Sequence, residues 1–332
     1  MIDLNSAITY QNGKGDDVNI NTIIGTQYVP GGSTPLSGYV VSGFGVGASM
    51  PIGYEDPKAI SDGVDTAEAF AGRRVVTVGL DVYGSTRANL FQNVQNIINL
   101  MRFMPKSFES SDGFRKLKAS MITTDANFPG GATPVYFLAR PLQIPQAESN
   151  ATQFTGSDSL GYSAKMTLYF LLKYPYKYAD SINEINIPIT NTAVTVDNHG
   201  AAPAELQIAF ESTSNTARTT DLLVTITVDN VPLELNITQT AGVDGSIYRS
   251  WLVDYKDQVV YTREQNTTTF ATTSSVTMNL ININSGALFA TVEPRADRTA
   301  GTPIKVRVQN AGTLADITSG YTVTAYWRET WY

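Results

Sequence analysis

The sequence predicts a mainly β protein of two β-sandwich domains, the first of which carries a single α-helix. Three observations predict it. The stretch 73–104 reads as a strand running into a helix, and no second helical pattern of comparable strength occurs in the chain. Near residue 180 the texture changes: strands become shorter, richer in Thr and Val, and separated by Asn, Asp and Gly. The 332 residues are enough for two cores, one on each side of that change.

Taken in order, residues 1–72 are rich in turns, with short strands predicted over 19–24 and 39–44 around the turn Pro30-Gly31-Gly32-Ser33. Residues 45–72 hold Gly45, Gly47, Pro51, Gly53, Pro57 and Gly63 and read as a long excursion. Loops of that length are uncommon without a use, and packing against a neighbouring subunit is one such use. Over 75–82, Val76, Val78, Leu80 and Val82 share one face while Thr77, Gly79 and Asp81 share the other, the alternation of a strand with one buried side. Gly84 ends that strand, and Ser85 or Thr86 caps a helix by accepting a backbone N–H. The helix is predicted over about 86–104: Leu90, Val94, Ile97, Ile98 and Met101 form one apolar stripe, and Arg87, Gln92, Gln95, Asn99 and Arg102 point away from it. Pro105, with no amide proton, stops it.

Strands over 114–122 and 134–139 read as a hairpin with a projecting tip, Asn127-Phe128-Pro129-Gly130-Gly131. Phe128 at such a tip is either an interface anchor or a locally packed ring. The strong strand 163–172 closes the first domain, set at 1–180. In the second, 181–332, strands are predicted over 185–196, 204–211, 221–228, 231–238, 247–254, 258–262, 276–281, 287–292, 303–309 and 321–331, with Val228-Asp229-Asn230-Val231 as a hairpin turn. That spacing of short strands suggests a β-sandwich or jelly roll. There is no internal repeat.

Composition narrows the function. Charged residues are 16% of the chain, against roughly 25% in ordinary soluble domains, and there are 17 Tyr, so much of the surface is uncharged polar or committed to partners. A net charge of −7 with scattered Lys and Arg argues against binding nucleic acid through a basic face. Arg115, Lys116 and Lys118, the nearest thing to a cluster, read as polar positions of a strand. The absence of cysteine excludes disulfides, thiolate catalysis and cysteine-held metals. The start, MIDLNSAITYQNGKG, has no signal-peptide pattern, and no segment approaches the roughly 18 apolar residues of a membrane span. The expectation is a protein not secreted by the general route and not inserted in a membrane.

Catalytic equipment is not found. His199, the one histidine, lies in the turn Asn198-His199-Gly200-Ala201 with no nucleophile elbow nearby. A site built from several histidines is impossible, and no calcium loop, P-loop or dinucleotide fingerprint occurs. Tyr83-Gly84-Ser85-Thr86 superficially resembles an anion-binding turn, but a plain helix cap explains it better. No catalytic residue, cofactor or metal is therefore expected. Asp254, Asp257 and Glu264 lie near Trp251, Tyr255 and Tyr261, a mixture able to line a sugar site. The plainer reading makes Trp251 and its neighbours sandwich core with the charges outside.

A resemblance joins these pieces. The strand at 75–82 running into Tyr83-Gly84-Ser85-Thr86-Arg87-Ala88-Asn89-Leu90 is one part of it. A second is Leu168-Tyr169-Phe170 followed by Tyr174-Pro175-Tyr176-Lys177-Tyr178. Both resemble the N-terminal domain of the distal tail proteins (Dit) of long-tailed, siphovirus-type bacteriophages. Lys173 and Tyr174 stand where that family commonly has an acidic residue. Val196-Asp197-Asn198-His199-Gly200 and the closing stretch 321–332 are similar to the start and end of the family's galectin-like C-terminal domain.

The resemblance implies a structural, non-enzymatic virion protein of the tail tip or baseplate. It would be assembled in the host cytoplasm into a homohexameric ring that joins the tail tube protein to the central hub, with an outward C-terminal domain that receptor-binding proteins can use. Two rival readings stay open beside it. One is a carbohydrate-binding tail module in which Trp251, Tyr255 or Tyr261 stacks on host-surface sugars. The other is a tail-associated glycoside hydrolase using carboxylates such as Asp254 and Glu264.

Overall fold

The computed structural model describes residues 2–23, 37–48, 74–102, 113–122, 132–145, 161–212, 221–237, 248–255, 259–264, 281–286, 290–294 and 300–331, with backbone pairing also at 51–52, 55–57, 64–66, 70–71 and 155–157. The chain divides into two compact units, Met1–Tyr178 and Ala179–Tyr332. Each has a core drawn from its own residues.

The first unit contains β1 (Thr9–Gln11), β2 (Asp17–Asn19), β3 (Gly38–Val46), β4 (Val75–Gly84), α1 (Arg87–Leu100), β5 (Arg115–Ile122), β6 (Ala132–Pro141) and β7 (Gly161–Leu172). The strands form one antiparallel sheet in the order β2-β1-β5-β6-β7-β4-β3. β4 alternates as its sequence requires, with Val76, Val78, Leu80 and Val82 buried. The sheet is strongly curled. Tyr10 on β1 and Phe170 on β7 are three strands apart, which in a flat sheet is about 14 Å, yet their rings lie 4.9 Å apart. Phe44 on β3 and Phe137 on β6 are likewise three strands apart, with rings at 5.9 Å. The sandwich-like packing of this unit is thus one sheet whose opposite sides face each other.

Beyond β2 the chain turns to meet β3 and closes the sheet on itself. Ile23 N–H donates to the Tyr39 carbonyl at 3.0 Å, Tyr39 N–H to Thr22 Oγ1 at 2.9 Å, and Val41 N–H to Asn21 Oδ1 at 2.9 Å. Residue 38 has to be glycine here: its φ is +135°, and a Cβ would lie 2.3 Å from Thr22 Oγ1. The strand expected over 19–24 is accordingly displaced. The ladder ends at Asn19, and Asn21 and Thr22 bond through their side chains instead.

Helix α1 lays Leu90, Val94, Ile97 and Leu100 into the core. It ends at Leu100, short of the expected 104, with Met101 as its cap. Met101 is fully buried and still bonds Ile97 O, while Arg102 N–H reaches back only three residues, to Asn99 O. This tightening closes the helix before Pro105 can act.

The excursion 45–72 is not structureless. Pro51–Ile52 pairs with Phe70–Ala71, and Glu55–Pro57 with Val64–Thr66. The pairing runs outward from the β3–β4 ladder, where Val46 faces Val76, with a slip of one residue between the two short pairs. It is therefore an extension of the β3–β4 hairpin. The predicted hairpin 114–139 is present as β5 and β6, paired from Arg115↔Ala139 to Ile122↔Ala132.

The second unit is a two-sheet sandwich. Its strands are β8 (Asn183–Asn186), β9 (Val194–Val196), β10 (Ala204–Ser212), β11 (Leu222–Val228), β12 (Val231–Ile237), β13 (Tyr248–Asp254), β14 (Val259–Glu264), β15 (Ile281–Gly286), β16 (Thr302–Asn310) and β17 (Tyr321–Trp327). One sheet runs β8-β17-β10-β13-β14, with Thr291–Val292 also on β10, and the other runs β9-β16-β11-β12-β15. Alternate residues of both sheets, such as Leu206, Phe210, Ile226, Leu235, Val306 and Val323, fill the space between them. The single strand expected over 185–196 is two strands, one in each sheet, with buried Ile187 and Ile189 on the crossing segment. Asn191 takes a left-handed φ of 61° on the way. The turn between β11 and β12 has Asp229 and Asn230 at φ 49° and 67°, the mirror-image turn suited to a two-residue hairpin.

Candidate functional site

The start of α1 is a cap. Thr86 has extended backbone, and its Oγ1 accepts the Asn89 N–H at 3.1 Å. Asn89 Oδ1 reaches back to accept the Ser85 N–H at 3.2 Å, so the two side chains satisfy donors that would otherwise face an anion. Gly84 is needed for close approach, since a Cβ there would lie 2.2 Å from Leu90 N. Asn93 Nδ2 donates to Tyr83 O at 2.7 Å and ties the helix to the end of β4.

Away from the core, α1 presents Arg87, Ala88, Phe91, Gln92, Asn96 and Asn99. It has no acidic residue in its first turn and no basic residue in its last. Phe91, 60% exposed, is the large apolar group on this amide-rich face. Sequence periodicity did not single it out, because it adjoins Leu90, which belongs to the buried stripe. Phe128 and its hairpin tip lie outside the described residues. Ile122 at the end of β5 is 45% exposed.

The basic trio of β5 is engaged piece by piece. Arg115 lies over the Tyr10 ring at 4.5 Å and donates to Gln11 O at 2.9 Å. Lys116 sits over the Tyr136 ring at 4.6 Å, and Lys118 pairs with Asp17 at 2.7 Å. Burial pushes the Tyr10 phenol up to about 12, against the opposing pull of Arg115.

In the second unit, the turn around Asn198 is a buried polar knot. Asn198 is fully buried; its Nδ2 donates to Ala202 O at 2.8 Å and Val292 O at 2.9 Å, and its Oδ1 accepts the Gly200 N–H at 2.9 Å. Gly200 lies so close to the chain at Thr330 that a Cβ would stand 2.2 Å from that residue's carbonyl oxygen. Trp327 Nε1 donates to Asp197 O at 3.2 Å. The segment is thus a structural clasp between the ends of the sandwich strands.

The aromatic residues suspected of stacking on sugar are placed otherwise. Trp251 is 2% exposed within the sandwich core, its ring 5.7 Å from that of Tyr321. Tyr255 is 5% exposed, and burial alone pushes its phenol well above the ordinary range. Rings so enclosed have no free face for a sugar, which corrects that expectation for both. Tyr261 lies on β14, its side chain outside the described residues. Asp254 is buried and accepts Gln207 Nε2 at 2.7 Å, while the Glu264 side chain also lies outside the described residues. His199 is half-buried in the Asn198 turn. Among the described residues no group of three His, Cys, Asp or Glu could hold a metal ion, and no helix is long and apolar enough to cross a membrane.

No family model and no curated protein matches the chain. Among solved structures, it is similar to the Dit protein of phage SPP1, described as a paradigm of the hub adsorption apparatus in phages that infect Gram-positive bacteria. That similarity covers 98% of this chain and 99% of the other, with a TM-score of 0.53 at 14% identity. A structure of the phage P2 baseplate in its activated conformation with calcium is similar at a TM-score of 0.43 and 9% identity, over 96% of this chain and 97% of that one. The chain has the fold of a phage distal tail protein.

Proposed function

We propose that this chain is a structural, non-enzymatic component of a phage tail tip, resident in the virion. Six copies form a ring that joins the tail tube protein to the central hub, and the second unit offers an outer surface to receptor-binding proteins. The observation that carries this reading is the fold shared with SPP1 Dit over nearly the full length of both chains. Two features support it. The extended β3–β4 hairpin gives the first unit an arm suited to gripping a neighbour, as heterologous contacts in a closed ring require. The carboxylate and aromatic candidates for sugar chemistry that can be placed are buried in the second unit.

Light scattering after size exclusion, with negative-stain imaging of the peak, tests the ring. The expected result is a mass six times 35.9 kDa, seen as rings with a central hole. A protein that stays monomeric alone and also when mixed with its own tail tube and hub proteins would overturn the reading.

A further inference from the structure

Arg74 immediately precedes β4 and is held at two points. Its backbone oxygen accepts the Leu172 N–H at 3.0 Å, and its Nη1 donates to the Pro175 carbonyl at 2.9 Å. The guanidinium is thereby fixed over the turn that follows β7. Its Nε–H, however, is buried and among the described residues has no hydrogen-bond partner. Buried polar groups in folded proteins are almost always paired, and an unfilled donor on a charged group is among the most costly to leave so.

Two residues past Pro175 stands Lys177, also half-buried. Burial first and the neighbouring Arg74 charge second hold its ammonium below the ordinary lysine range. Among the described residues neither side chain has an acidic partner: the Arg74 guanidinium has its carbonyl bond, and what acts on Lys177 is another cation. Arg74 bonds the carbonyl two residues before Lys177, so two like charges stand near one another, one of them with an unused donor, an arrangement that an anion completes. A planar guanidinium presents its N–H groups in a fork matched to the paired oxygens of carboxylate or phosphate, and an ammonium on a flexible stem closes on the same oxygens as a point charge.

We propose that Arg74 and Lys177 form an oxyanion-binding site for a phosphate or carboxylate group. An arriving anion meets the ammonium and the outer edge of the guanidinium first. The Nε–H, enclosed in the unliganded chain, becomes available to it only on local rearrangement. The site rests on these two residues alone and stands whether or not the chain builds a tail-tip ring.

The test is calorimetric titration of the full chain with inorganic phosphate and separately with acetate, each against sodium chloride at matched ionic strength, with thermal unfolding followed in parallel. Phosphate is expected to bind with millimolar affinity and to raise the melting temperature above the chloride control. Lys177→Gln should weaken that binding by about tenfold or more. Because Arg74 also anchors the Pro175 carbonyl, Arg74→Lys serves as its variant; it keeps the charge but removes the fork, and should weaken binding similarly. Phosphate bound about tenfold more tightly than acetate assigns the site to a free phosphate-type ligand. Equal binding of the two assigns it to a side-chain carboxylate from an adjoining chain. No heat or thermal shift beyond chloride with either anion, or an undiminished response in Lys177→Gln, overturns the proposal.

Discussion

Asn198 uses its whole side chain on the backbone of its own unit, two bonds given and one taken. Asn198→Ala leaves the Ala202 and Val292 carbonyls without their donor and should cost about 3 kcal/mol, since buried groups stripped of a partner cost about 1–3 kcal/mol each. Gly200→Ala, which forces a Cβ against the Thr330 carbonyl, should cost at least as much. Urea unfolding checks both: the midpoint falls while the slope is unchanged. Tyr10 makes a different prediction. Its folded-state pKa is raised from 10.0 to about 12, so between those values the unfolded chain loses the phenolic proton while the folded chain keeps it. Stability therefore falls as pH rises through that window, by about 2–3 kcal/mol in all. Tyr10→Phe should make the dependence of the urea midpoint on pH between 10 and 12 shallower, leaving the part due to Tyr255, whose phenol burial also raises. At this scale the sequence was legible where one position carries one role. The Asn198 and Gly200 pattern could be picked out, but its purpose could not, because the Val292 carbonyl that Asn198 bonds and the Thr330 carbonyl that Gly200 lies against are 94 and 130 positions further along the chain.

At the scale of elements, α1 shows how much a periodic pattern reveals and where it stops. Leu90 and Phe91 are neighbours on the chain and opposites on the helix, one fully buried and the other 60% exposed. Leu90→Ala should cost about 3 kcal/mol through lost burial and the cavity left behind. Phe91→Ala should stay within about 0.5 kcal/mol of the parent. Thr86→Ala, which removes the cap, should cost about 1 kcal/mol. Thermal unfolding of the three variants side by side tests the assignment of the faces. Type and placement of the helix were readable because its apolar stripe repeats at the helical period. Its end was not, since Met101 continues the stripe into a turn that is no longer helical. The same limit explains 185–196, where apolar residues run on through a crossing between sheets that alternation does not mark. It also explains 45–72, where Gly and Pro suggested a loop while the backbone pairs at 51–52 with 70–71 and at 55–57 with 64–66.

For the molecule as a whole, the division into two units is a division of cores. The residues of one apolar cluster lie between Ile8 and Leu172, and those of the other between Ile187 and Trp327. Residues 179–332 expressed alone should therefore fold and unfold cooperatively, giving a single sharp urea transition with dispersed amide resonances. A collapsed species without that transition would show the second core to be incomplete by itself. The change of texture near residue 180 was visible in the sequence because strand length and turn chemistry are local properties. The curl of the first sheet was not, because alternation reports which side chains are buried and is silent on which strands come round to meet. That closure has a mechanical consequence. A hoop is as strong as its join, and among the described residues the join is three hydrogen bonds, two of them to the side chains of Asn21 and Thr22. On the far side, β5 and β6 are laced by eight residue pairs, and β4 and β7 by ten. Pulled or heated, the first unit will part like a split ring at its short seams. These are the Asn21–Ile23 join and the two- and three-pair contacts of β1 with β5 and β6 with β7, while the long β4–β7 and β5–β6 ladders stay laced.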